Sequence, residues 1–175
     1  MIHALAVKII LPAQILVFSL LASRADKDSH PSTAIPGWEI WSVFNTTVVE
    51  ITVDEEALIL TLTRRALWFM GQRGVLIHQP VSGNFKITAD VYTIKESDPS
   101  QPPGDDESVQ LSGLMIRNGG GGPENYVFIV VGDDGNGLSV ETKNTVDNFS
   151  KYDGPSWGSS VGMLRMNPMM DHRTC

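Results

Sequence analysis

From Phe85 to Ile94 apolar and polar positions alternate: Phe85, Ile87, Ala89 and Val91 are interleaved with Lys86, Thr88, Asp90 and Tyr92. A period of two predicts a long strand with one buried and one wet face, as in an antiparallel sheet. Leu111 to Asn118 carries the same period. Leu111, Gly113, Met115 and Arg117 share one side, and Ser112, Leu114, Ile116 and Asn118 share the other. From Tyr126 to Val131 both sides are apolar apart from the Tyr hydroxyl, which predicts a central strand covered on both faces. The glycine-rich segment between these two runs, residues 119–125, predicts a turn or loop.

Shorter runs fill in the remainder. Val48–Val53 and Ala57–Thr63 flank the charged turn Asp54-Glu55-Glu56 and predict a hairpin, with Leu58, Leu60 and Leu62 on one face. Val75–Gln79 reads as a strand stopped by Pro80, and Ser82-Gly83-Asn84 as a turn. Residues 66–74 fit either a short strand or a loop carrying Trp68. Glu96–Ser108, with three prolines, is a loop. Asn136-Gly137 is the favoured pair for a type I′ turn and leads into a strand over Leu138–Lys143. The pattern fades from Asn144, returns briefly in Val161–Met166, and is absent from 167–175. No capped 3.6-residue repeat occurs in the chain after residue 25. The expected fold is all-β, an antiparallel two-sheet sandwich or jelly roll of about eight strands.

The first 25 residues follow a different order. Lys8 precedes an apolar run, Ile9–Leu21, followed by the small residues Ala22, Ser23 and Ala25 and then the polar stretch Asp26–Ser29. That order is the form of an export signal, with cleavage after Ala25, or after Ala22 or Ser23. The apolar run is shorter than the ~20 residues that span a bilayer. The expected organisation is a signal over 1–25, a polar linker over 26–36, a sandwich domain over 37–166 and a tail over 167–175. The address is then periplasmic or extracellular, with no membrane span after cleavage.

Charge and cysteine content narrow the chemistry. A formal net charge of −7, with Arg64-Arg65 as the only adjacent basic pair, does not supply the basic surface that nucleic acid needs. Cys175 is the single cysteine, so an internal disulfide and Cys-ligated zinc or iron–sulfur centres are excluded.

The segments Gly74–Val91, Ser112–Arg117 and Asn125-Tyr126-Val127, in this order, resemble the concanavalin A-like, laminin G-like jelly-roll domains of the DUF1349 family. They are also similar to the regulation-of-enolase-like domains and the C-terminal sandwich domains of β-xylosidases. The resemblance spans residues 37–165. It implies a sandwich that binds glycans or assists glycan-active enzymes. It also implies further strands after the VGMLRM segment, where this sequence instead continues Asn167-Pro168-Met169-Met170.

Sugar binding needs flat rings to stack on sugar faces and polar side chains to bond hydroxyls. Trp68, Trp157 and Tyr126 are the candidate platforms; Arg117, Asn118, Gln79 and Lys143 are the candidate partners. Each has a plainer reading beside it. Tyr126 lies in an apolar strand and fits a core position, and Arg117 fits an ion pair with an acidic neighbour such as Glu124. Trp157, in a Gly/Ser-rich stretch, is the indole expected to be exposed. The acidic clusters Asp105-Asp106-Glu107 and Asp133-Asp134 could offer Ca²⁺ oxygens but lack an EF-hand spacing, and solvated loop charge is the simpler reading; no cofactor is expected. Alternating carboxylates of the kind retaining glycanases use are absent, since Glu55-Glu56 are adjacent and point to opposite faces. His78 has no nucleophile motif nearby. The sequence leans toward a non-catalytic module, with a protein-interaction domain or, less favoured, a glycan hydrolase as the alternatives.

Overall fold

A computed structural model describes residues 5–10, 42–53, 57–64, 66, 74–78, 81, 85–104, 109–117 and 125–167. In chain order its strands are β1 (Leu5–Ile10), β2 (Ser42–Phe44), β3 (Val49–Val53), β4 (Leu58–Leu62), β5 (Leu76–His78), β6 (Ile87–Lys95), β7 (Gln110–Arg117), β8 (Tyr126–Asp133), β9 (Leu138–Val146), β10 (Phe149–Asp153) and β11 (Val161–Met166). A 3₁₀ turn, Thr46–Val48, is the only helical element among the described residues. The strands form a five-stranded sheet in the order β11-β6-β1-β4-β3, a four-stranded sheet in the order β10-β9-β8-β7, and the small pair β2-β5. Every pairing is antiparallel. The protein is an all-β sandwich.

The period-two patterns show how the layers close. Ala89 and Val91 of β6, with Leu164 and Met166 of β11, pack against Leu114 of β7 and Val131 of β8. Leu60 and Leu62 join the rim of this core, and Leu58 forms a neighbouring cluster with Ile51, Val53 and Ile77. The predicted face of Leu58, Leu60 and Leu62 is therefore the packed one, and the predicted hairpin is the β3–β4 pair. β8 lies between β7 and β9, the central place its two apolar sides foretold.

Among the described residues a pair of hydroxyls, those of Thr93 and Ser112, meets in this interior. Thr93 of β6 is wholly buried, and its hydroxyl crosses to the other sheet. It donates to the Val131 carbonyl at 2.7 Å and meets the Ser112 hydroxyl.

Three features depart from the sequence reading. The turn after β8 is not a two-residue type I′ turn at Asn136-Gly137. Positive φ falls on Gly135 and Gly137, and the Asp133 and Asp134 carboxylates accept from Gly135 N–H at 2.8 Å and Asn136 N–H at 2.7 Å. These local side-chain bonds outcompete the dipeptide's preference. β9 runs on to Val146, and β10 follows where the pattern faded; its residues are all exposed, so it has no apolar alternation to show. The turn joining them is Asp147-Asn148, both left-handed at φ 49° and 69°. Finally, Leu5–Ile10, inside the stretch with the form of an export signal, is the middle strand of the five-stranded sheet. Val7 pairs with Leu60 and Thr93, and Ile9 pairs with Leu58 and Val91. The 26–36 linker and residues 168–175 lie outside the described residues. Among the described residues, no helix is long and apolar enough to cross a membrane.

Candidate functional site

Ser112, Leu114 and Ile116 of β7 and Val127, Ile129 and Val131 of β8 point between the sheets, so the alternate positions line the outer face of the four-stranded sheet. On that face Arg117 pairs directly with Tyr126, and Phe128 pairs with Lys143 of β9. The Tyr126 and Phe128 rings stack, with centroids 6.1 Å apart and planes 15° from parallel. The Lys143 ammonium lies 5.5 Å from the centroid of the Tyr126 ring, a cation–π contact worth about 0.5–1 kcal/mol in a partly exposed setting. Tyr126 is 5% exposed, held between these neighbours.

Further along β9 the same face carries Glu141 and Ser139, both buried. β10 brings Tyr152 beside Lys143, and the Tyr152 hydroxyl donates to the Glu141 carboxylate. Tyr152 as a residue is 54% exposed, while its hydroxyl bonds to that acid. Burial pushes the Glu141 carboxyl up from its ordinary value; the Tyr152 hydroxyl pulls the other way, and the Asp134 charge adds to the rise. Burial and the neighbouring carboxylate push the Tyr152 phenol up as well. Gly154 completes the arrangement, because a Cβ there would stand 3.3 Å from both Glu141 Cγ and Tyr152 Cε1. Among the described residues the buried Ser139 hydroxyl has no hydrogen-bond partner.

A carboxyl whose folded pKa is raised stabilises the fold fully below its ordinary value of 4.5 and loses that contribution as pH rises through the folded value. Glu141→Gln, which mimics the protonated form, should therefore gain stability relative to the unsubstituted protein as pH rises toward neutral. Urea titrations of both proteins across that range check this, and equal stability at every pH would count against a desolvated acid.

The structure brings together three of the candidates read from the sequence: Arg117, Tyr126 and Lys143. Trp157 is exposed as expected, at 57%, and its main-chain N–H donates to the Leu138 carbonyl at 3.0 Å. Leu138 is at the opposite end of β9 from the position paired with Tyr126, roughly 23 Å away along the strand. Trp157 and Arg117 do not converge. Trp68, Gln79 and Asn118 lie outside the described residues, as do Glu124 and Asp105–Glu107. Asp133 and Asp134 serve their turn, and among the described residues no three His, Cys, Asp or Glu side chains gather as a metal site. Phe128, Glu141 and Tyr152 were not foreseen. Phe128 follows Tyr126 by two in an alternating strand, which is a usable signal, whereas the Glu141–Tyr152 contact depends on the β9–β10 turn. No protein-family model, curated protein or solved structure matches this chain.

Proposed function

We propose that the protein is a non-catalytic carbohydrate-binding or accessory module of the concanavalin A-like kind, with its sugar site on the outer face of β7–β10. The observation that carries this reading is the Tyr126–Phe128 stack with Lys143 over one ring and Arg117 beside it. Phe128, half-buried beside the buried Tyr126, is the ring that offers stacking to a sugar face, and the flanking cationic donors offer hydrogen bonds to its hydroxyls or carboxylates. Export belongs to the same proposal, supported by the order of charge, apolar run and small residues over 1–25, and because β1 lies within that stretch the proposed exported form keeps it.

Glycan-array binding of the full chain tests the site. Phe128→Ala and Lys143→Ala should each weaken binding about tenfold, the equivalent of ~1.4 kcal/mol, with folding unchanged by circular dichroism. Trp157→Ala should leave binding at this face intact. A folded protein that binds no glycan would favour a protein-interaction domain, a second reading supported by the exposed Phe149, Trp157 and Met163.

A further inference from the structure

β10 is an edge strand: all five of its residues are exposed, and no described strand lies on its free side. Phe149 is 84% exposed, and Val146, its partner across the turn, is exposed too. An open edge of this kind presents a row of main-chain groups to any strand that can match it.

The hairpin determines which groups those are. A two-residue turn at Asp147-Asn148 makes Val146 and Phe149 its closing hydrogen-bonded pair, and bonded pairs then recur at every second residue. The same register continues beyond the strand, where Val140 N–H donates to the Pro155 carbonyl at 3.2 Å and Trp157 N–H to the Leu138 carbonyl at 3.0 Å. Phe149, Lys151, Asp153 and Pro155 therefore turn their main chain toward β9. Ser150, Tyr152 and Gly154 turn theirs to the open edge.

A second copy adding antiparallel to this edge must match outward-facing residues with outward-facing residues. That parity leaves three registers centred near the middle of the strand. One sets Lys151 opposite the second copy's Lys151, and another sets Asp153 opposite the second copy's Asp153; both place like charges face to face. The third is centred on Tyr152. It sets Lys151 opposite the second copy's Asp153 twice over, at the non-hydrogen-bonded positions where side chains approach most closely. It also lays each Phe149 opposite a Pro155. A lysine in the middle of an edge strand ordinarily discourages pairing, but here the aspartate two residues on neutralises it in a single register.

We infer that the chain self-associates through β10, two copies meeting about a twofold axis at Tyr152 so that their four-stranded sheets become one continuous sheet. The outer faces of the two copies then run together across the junction.

Sedimentation velocity of the full chain over the micromolar range tests this. The unsubstituted protein should form a dimer that dissociates on dilution. Lys151→Glu and Asp153→Lys should each raise the dimer dissociation constant about tenfold or more by setting like charges opposite each other. The double exchange Lys151→Asp with Asp153→Lys should restore the dimer, because each copy again opposes a cation with an anion. A monomer at every concentration would overturn the inference. So would single variants that dimerise like the parent, or a double exchange that fails to restore association.

Discussion

A chain lacking residues 1–10 is expected to lose its cooperative unfolding transition. β1 pairs with four residues of β4 and six of β6, so its removal splits the five-stranded sheet into the two ribbons β3–β4 and β6–β11. Two-stranded ribbons are marginal in water. Main-chain hydrogen bonds net about 1 kcal/mol each, so losing the bonds on both sides of β1 costs several kcal/mol, comparable with the ~5–15 kcal/mol that holds a typical domain. Urea titration followed by circular dichroism and tryptophan fluorescence provides the measurement. An unchanged midpoint in the shortened chain would show that β1 contributes nothing, and would leave those residues to the export signal. Cleavage after Ala25 would remove the same strand, so the intact mass of the protein recovered from cells or medium reads directly which use the cell makes of it.

Gly132→Val should be nearly as damaging. Gly132 sits near the end of β8 at φ 144°, a backbone conformation that side-chain-bearing residues rarely adopt. A Cβ there would lie 3.0 Å from the Thr93 methyl and 3.2 Å from the Gln110 carbonyl carbon. Strain of about 1–3 kcal/mol from the backbone adds to a similar cost of overpacking. The expected result is a loss of about 2–6 kcal/mol in urea unfolding, with Gly132→Ala intermediate. A Val variant as stable as the parent would mean that β8 can shift away from β6 and β7 without cost.

The strands that could be read from the sequence are those with one wet face and one dry face. Ala89 and Val91 alternate with polar neighbours because their sheet buries one side, and Leu58, Leu60 and Leu62 show the same cause. β10 escaped for the converse reason: both its faces are exposed, so no hydrophobic period marks it. Leu5–Ile10 is ambiguous in principle, since a buried central strand and the start of an export signal are both short apolar runs. The site was half legible. Tyr126, Arg117 and Lys143 are visible as residue types, yet their meeting follows from cross-strand register. The Glu141–Tyr152 contact depends in addition on the Asp147-Asn148 turn between β9 and β10, whose two left-handed residues carry no glycine to announce them. Trp157 was correctly expected at the surface, but exposure says nothing about which end of the sheet it occupies.

The Thr93 hydroxyl, joined to Ser112 and the Val131 carbonyl across the interior, gives the sandwich a locking pin. Aliphatic layers can slide over one another with little change in buried area, whereas a hydroxyl that finds its acceptors at one offset cannot. This threonine thus fixes how far the outer-face residues of β8 stand along the molecule relative to the sheet behind them. The alignment of the aromatic stack is set from inside the fold, by a side chain that never touches it.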